Sequence, residues 1–140
     1  EKAVERGEDE TEIETGIAWC HLKLENFTES FTFFNSALER NTNYKNAISG
    51  LGILNYESLD FRRSALILES LLELDSAYSF DYDSSVNPQN LRLLLAHNYF
   101  ILQDYEKSAE HLSVILPSLT GSDPETIANQ LASFGLSGYE

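Results

Sequence analysis

Methionine is absent, and cysteine occurs once, as Cys20. A single cysteine excludes any disulfide within the chain. A lone thiol in an apolar helix reads first as a small buried hydrophobe. Position 1 is Glu rather than Met, so the sequence is expected to be a piece of a longer protein or a processed one. No signal peptide is visible; the compartment stays open, the cytoplasm ahead of the periplasm. Apolar runs are short: Leu91 to Leu95 is interrupted by Arg92, far from the length a bilayer demands, so membrane insertion is not expected. Bases are scarce. Nine Lys and Arg face 23 Asp and Glu, a net charge of −14, and such a surface repels phosphates and anionic lipid heads. Nucleic acid is therefore excluded as the natural ligand.

The motifs of common chemistries are missing too. There is no phosphate-cradling glycine loop, no nucleophile elbow and no H-E-x-x-H zinc pattern. Neither His97 nor His111 has a Cys or carboxylate at metal-ligand spacing, and structural or surface roles are favoured for all three histidines, His21, His97 and His111. Cys20 and His21 are sequence neighbours and point about 100° apart on a helix, which argues against a nucleophile pair. No two acids are singled out for paired-carboxylate work. Asn26-Phe27-Thr28 matches the glycosylation triplet, but it sits in a repeat turn and reads as coincidence. No catalytic residue, metal or cofactor is assigned, and the chain is not expected to be an enzyme.

What is present is a folded composition, 42% apolar in 140 residues, and a repeat. Glu25-Asn26-Phe27, Leu59-Asp60-Phe61 and Gln103-Asp104-Tyr105 share one pattern: polar or Leu, then Asn or Asp, then an aromatic. From Asn26 to Asp60 is 34 residues, and from Asp60 to Asp104 is 44, or 34 with ten inserted. Ser30, Ser64 and Ser108 stand four residues past each turn, with Phe34, Leu68 and Leu112 four further on. Around the turns, apolar residues recur at helical spacing: Ile13, Ile17, Ala18, Leu22, then Phe27, Phe31, Phe34, Ala37, Leu38 in the first unit. Short turns between such helices make antiparallel pairs.

The slots of this pattern resemble the tetratricopeptide repeat. Its Leu position holds Ile17, Leu51 and Leu95. Its Gly position, where two helices approach closely, holds Ala18, Gly52 and Ala96. The Ala position is Ser each time, and the Phe position is Phe34, Leu68 and Leu112. The Trp position departs, holding Glu14, Ile48 and Arg92; the Tyr position conforms only at Tyr99. The resemblance implies an all-α right-handed superhelix of antiparallel helix pairs. Residues 1–10 are expected to end a preceding unit, with repeats at 11–44, 45–78 and 89–122, an inserted loop at 79–88, and a terminal helix or a further unit at 123–140. Ser122 is the expected cap of that last helix, with Pro124 in its first turn and Glu125 completing a capping box. Gly138-Tyr139-Glu140 reads as one more turn.

By the same resemblance the first helices line a concave peptide groove. Its expected lining is Thr15, Trp19 and Lys23 from the first unit, Asn46, Ser49, Ile53 and Tyr56 from the second, and Asn90, Leu93, His97 and Phe100 from the third, with Glu12, Leu22, Glu57 and Ile101 beside them. Trp19 is placed on the groove ahead of the core. The clamp that holds acidic chaperone C-termini in this family is not matched: its places hold Thr15, Trp19, Gly50, Asn90 and Leu94. An acidic chaperone tail is therefore not an expected partner. The insertion, with Tyr78, Phe80 and Tyr82 alternating with acids, reads as a surface loop packed back on the helices, or else as a binding element at the groove edge. Seven acids (Glu1, Glu5, Glu8, Asp9, Glu10, Glu12, Glu14) crowd the first fourteen residues, as a solvated face or a landing site for a basic partner. The expected function is a non-enzymatic scaffold binding a peptide or partner helix, with charge steering toward basic partners. The alternatives are a structural spacer or self-assembling segment, or a regulatory arm of an enzyme whose catalytic domain lies elsewhere.

Overall fold

The computed structural model describes residues 2–136, with side chains from Asp9 onward. It is all-helical: α1 (Lys2–Lys23), α2 (Phe27–Arg40), α3 (Lys45–Glu57), α4 (Phe61–Leu74), α5 (Pro88–Ile101), α6 (Tyr105–Ile115) and α7 (Pro124–Ser133). Among the described residues the only β-feature is an isolated Phe80–Asp83 bridge in the loop at 75–87. The expected tail of a preceding unit at 1–10 is not separate. The backbone stays helical from Lys2 through residue 10 into α1: the stretch contains no Pro, and the isolated Gly7 does not end the helix.

Each hairpin turn is built alike. Glu25, Leu59 and Gln103 take left-handed φ values of 61°, 67° and 65°. Each such residue donates its N–H back three residues, to the carbonyls of Leu22, Tyr56 and Phe100. The residue after it donates back five, to His21, Asn55 and Tyr99, at 2.8 Å in all three turns. This Schellman geometry satisfies carbonyls that the helix end would otherwise leave bare. The strain of a side chain in the left-handed region, about 1 kcal/mol, is thereby offset. Asp60 and Asp104 then cap the next helix by accepting from Arg63 and Lys107 N–H.

The two helices of a pair run antiparallel. Ser30 meets Ala18 near the turn, while Arg40 reaches Glu14 and Glu10 at the far end. At every crossing the buried serine donates across the gap: Ser30 Oγ to Ala18 O at 2.8 Å, Ser64 Oγ to Gly52 O at 2.8 Å, and Ser108 Oγ to Ala96 O at 2.6 Å. A Cβ added to Gly52 would lie 2.5 Å from Leu68 Cδ2, so the small slot does mark a close approach. Gly50 is tighter still, with its added Cβ 2.1 Å from Phe34 Cζ. Pairs then stack, α2 on α3 and α4 on α5, and α7 rests on α5 and α6. Phe34, Leu54, Leu68, Leu71, Leu91 and Leu95 form the main core; Ala96, Leu112, Ile127 and Leu131 form a second.

α7 repeats the first-helix design with a shorter spacing. Gly135 has φ 84°; its N–H goes to Ala132 O and that of Leu136 to Leu131 O, as in the three earlier turns. The turn thus falls 32 residues after Gln103, ahead of Gly138-Tyr139-Glu140, where it was expected. Those three residues lie outside the described ones. The cap also shifts by one: Asp123, not Ser122, accepts from Thr126 N–H, since its side chain directly precedes Pro124.

The serines are not equivalent. Ser64 Oγ also accepts from Asn98 Nδ2 at 3.0 Å, joining the second pair to the third. Ser64→Ala leaves that buried donor unpaired and should cost about 1–3 kcal/mol, whereas Ser30→Ala should cost about 0.5–1.5 kcal/mol. Urea unfolding of the two variants checks the order.

Candidate functional site

The loop at 75–87 determines what is open on the face of the first helices. α4 stops at Leu74, with Asp75 at its end, and does not run on through Ala77 and Tyr78. Tyr78 is buried instead. Its hydroxyl donates to Asn46 Oδ1 at 2.8 Å and shares a 2.9 Å hydrogen bond with Ser49 Oγ; burial pushes its pKa up to about 12. Phe80 crosses to α1 and stacks on Trp19, with ring centroids 4.6 Å apart and planes within 16°. Phe34 meets Trp19 edge-on from the other side, and the indole N–H donates to Asn46 O at 3.0 Å. Asp83 binds Lys23 Nζ at 2.6 Å. The Lys23 hydrogen bond, with help from Ser85, lowers the Asp83 pKa to about 2. Of the alternating aromatics, Tyr78 and Phe80 pack inward and Tyr82 is exposed.

Below this loop, a groove of about 420 Å³ runs between α1, α3 and α5. Leu22, Ile53, Val86, Leu91, Leu93, Leu94 and Leu136 form its apolar lining; Lys23, Glu25, Glu57, Asp83, Ser85 and Asn90 supply its polar lining. Desolvation raises the Glu57 carboxyl above its ordinary value, with Lys23 opposing and Glu25 adding to the rise.

Six expected lining residues meet there: Trp19, Lys23, Ile53, Tyr56, Asn90 and Leu93. Trp19 does so only with its margin, for it is 6% exposed; it belongs to the core because Phe34 and Phe80 enclose it. Five others are withdrawn from the groove. Thr15 is buried and donates to Thr11 O. Asn46 and Ser49 are engaged by Tyr78. His97 is buried, with Nδ1 2.5 Å from Tyr56 Oη. Phe100 packs into the second core beside Leu93, Tyr105 and Leu136. Glu25, Asp83, Ser85, Val86, Leu91, Leu94 and Leu136 were missing from the expected lining. The loop's aromatic alternation was the available signal that it folds back onto the helices; the helical register alone carries no information about it.

Cys20, expected to be buried, is exposed on α1. His21 turns to Phe33, stacking at 5.9 Å, and to Asn26. His111 is enclosed by a polar network. Arg92 donates to its Nδ1 at 3.3 Å, so Nε2 carries the proton that goes to Glu69 Oε1 at 2.5 Å. Tyr99 stacks on the ring and donates to the same carboxylate; desolvation, reinforced by Glu69, raises its pKa. Among the described residues no group of three or more His, Cys, Asp or Glu is placed to hold a metal ion, and no helix is long and apolar enough to cross a membrane.

No protein-family model matches this chain, and neither does any curated protein or solved structure.

Trp19 is the sole tryptophan and so reports the loop directly. Phe80→Ala should shift its emission to the red and quicken acrylamide quenching; an unchanged spectrum would mean the stack does not hold in solution. The Asp83–Lys23 pair has a definite pH range. The folded Asp83 pKa lies below its ordinary 3.8, so its stabilisation is full above about pH 4 and is lost as pH falls toward about 2. The stability gap between wild type and Asp83→Asn should therefore be small, since the pair is largely exposed, and should close over that range in denaturant titrations.

Proposed function

We propose that this chain is a non-enzymatic protein-interaction module of the tetratricopeptide kind, a right-handed superhelix that holds a partner's peptide or helix in its concave groove. The observation that carries this reading is the groove itself. Its apolar floor is shared by three successive first helices, and its side chains are held in place by the hairpins behind them. Such a preformed apolar cleft with a few polar groups at the rim is the usual form of a binding site. The repeat supports the family assignment through the recurrent left-handed turn and the small residue at each crossing, which is serine where the family has Ala.

The occupant is an apolar segment with Lys or Arg beside it. Ile53, Leu93 and Leu94 offer the apolar seat. Glu25 and Glu57 offer the charge, within a chain of net −14. A basic segment relieves the desolvated Glu57, whereas an acidic chaperone tail meets repulsion.

A random-sequence peptide display library selected on the wild type tests this. Enriched clones should pair apolar residues with Lys or Arg. Their affinity should fall at least about tenfold, or about 1.4 kcal/mol, on Leu93→Asp with helicity retained, and Glu57→Lys should reverse the charge preference. No enrichment, or equal binding to Leu93→Asp, would overturn the proposal. Trp19→Ala is unsuitable as a groove variant because it opens the core.

A further inference from the structure

The first pair has an apolar face that its own register marks as a stacking surface. Ile13, Ile17 and Cys20 hold the positions of Ala47, Leu51 and Leu54 in the second pair and of Leu91, Leu95 and Asn98 in the third. Those six are buried, between 0% and 8% exposed, where α2 covers α3 and α4 covers α5. In the first pair Ile13 is 59% exposed, Ile17 37% and Leu24 69%, and Cys20 is exposed. Phe31 on α2, 39% exposed, stands where Ala65 is 3% exposed on α4. Beside this stripe a cavity of about 430 Å³ opens between Gly16, Cys20, Phe80 and Tyr82, and a Cβ added to Gly16 would meet nothing within 4 Å.

We propose that this face of α1 and α2 is a second docking surface, which takes one amphipathic helix with basic flanks from another protein. The shape of the occupant is read from the other two pairs, where the same slots are covered by a helix presenting apolar residues at i, i+3 and i+4, such as Leu68, Leu71 and Leu72. Its charge is read from the neighbours. Asp9 lies one turn before Ile13, Glu12 is exposed, Glu25 follows Leu24, and Lys23 is held by Asp83. A second copy of the chain fits poorly. It brings another −14, and at the opposite end of its described array α7 already covers Ala96 and Leu112, so it has no bare second helix to give. Exposed apolar stripes of this kind mark interaction sites in soluble proteins.

The probe is a peptide with the sequence of α4, held helical by a hydrocarbon staple between its exposed positions 66 and 70 and carrying Glu69→Lys and Glu73→Lys, tested beside one with the same staple carrying Arg62→Glu and Arg63→Glu. Cys20, in the middle of the face, is the native reporter. Saturating basic peptide should slow its alkylation by iodoacetamide at least about tenfold, and the acidic peptide should bind at least about tenfold more weakly. Leu24→Glu and Ile17→Glu, both at exposed positions, should abolish binding without lowering the thermal midpoint. Leu93→Asp should leave it intact, which separates this face from the groove. An unchanged alkylation rate, binding indifferent to Leu24→Glu, or a sedimenting dimer that protects Cys20 without peptide would each overturn the proposal.

Discussion

The serine that donates across each helix crossing is the contact on which the rest of the structure depends. Two helices come this close only where one presents a small residue and the other has something short to put against it. Ser30, Ser64 and Ser108 are short, and each places its hydroxyl on the backbone carbonyl of Ala18, Gly52 or Ala96. The bond secures the crossing at one point, and the left-handed turn secures it at another. With both fixed, Phe34, Leu68 and Leu112 fall into the same seat in each pair and become fully buried. Ser64 adds the link to Asn98, so the crossing within a pair also bears on the stacking between pairs.

The slot that most departs from the repeat pattern is explained by polar pairing. Glu14 accepts from Ser36 and pairs with Arg40 at 2.5 Å. Burial opposes ionisation there, and the hydrogen bonds from Ser36 and Arg40 outweigh it, leaving the carboxyl below its ordinary value. In the third pair Arg92 orders His111 toward Glu69. A large aromatic in this slot would fill space between the helices; here charged side chains tie the first helix to the second, or through His111 to the previous pair. Both ring nitrogens of His111 are thereby engaged within the fold.

The helical pairs were legible from spacing alone, because apolar periodicity and the recurrent turn triplet are local signals. The capped start of α7 was legible to within one residue for the same reason. The groove was legible only in part. Ile53, Tyr56, Asn90 and Leu93 follow from helix register. The withdrawal of Asn46, Ser49 and Trp19 depends on where Tyr78 and Phe80 go, which is a contact made across dozens of residues by a loop with no register of its own. Cys20 illustrates the opposite case. Its slot is a buried one in the repeat, and it is exposed because, among the described residues, no helix covers α1 as α2 covers α3.

Charge and packing divide the remaining work. The described bases are largely committed within the fold: Lys23 to Asp83, Arg40 to Glu10 and Glu14, Lys45 to Asp75, Arg63 to Asp60, and Arg92 to His111. Nine bases cannot match 23 acids one for one, and at the groove rim Glu25 and Glu57 are exposed. Exposed ion pairs such as Lys23–Asp83 are worth at most about 1 kcal/mol. The Phe80–Trp19 stack is different: it is closed in by Phe34 and backed by the indole hydrogen bond to Asn46. The groove therefore combines a rigid apolar floor with a rim whose ion pairs exchange at little cost. The shape of the groove is set by the fold, and the charge at its rim is only loosely held.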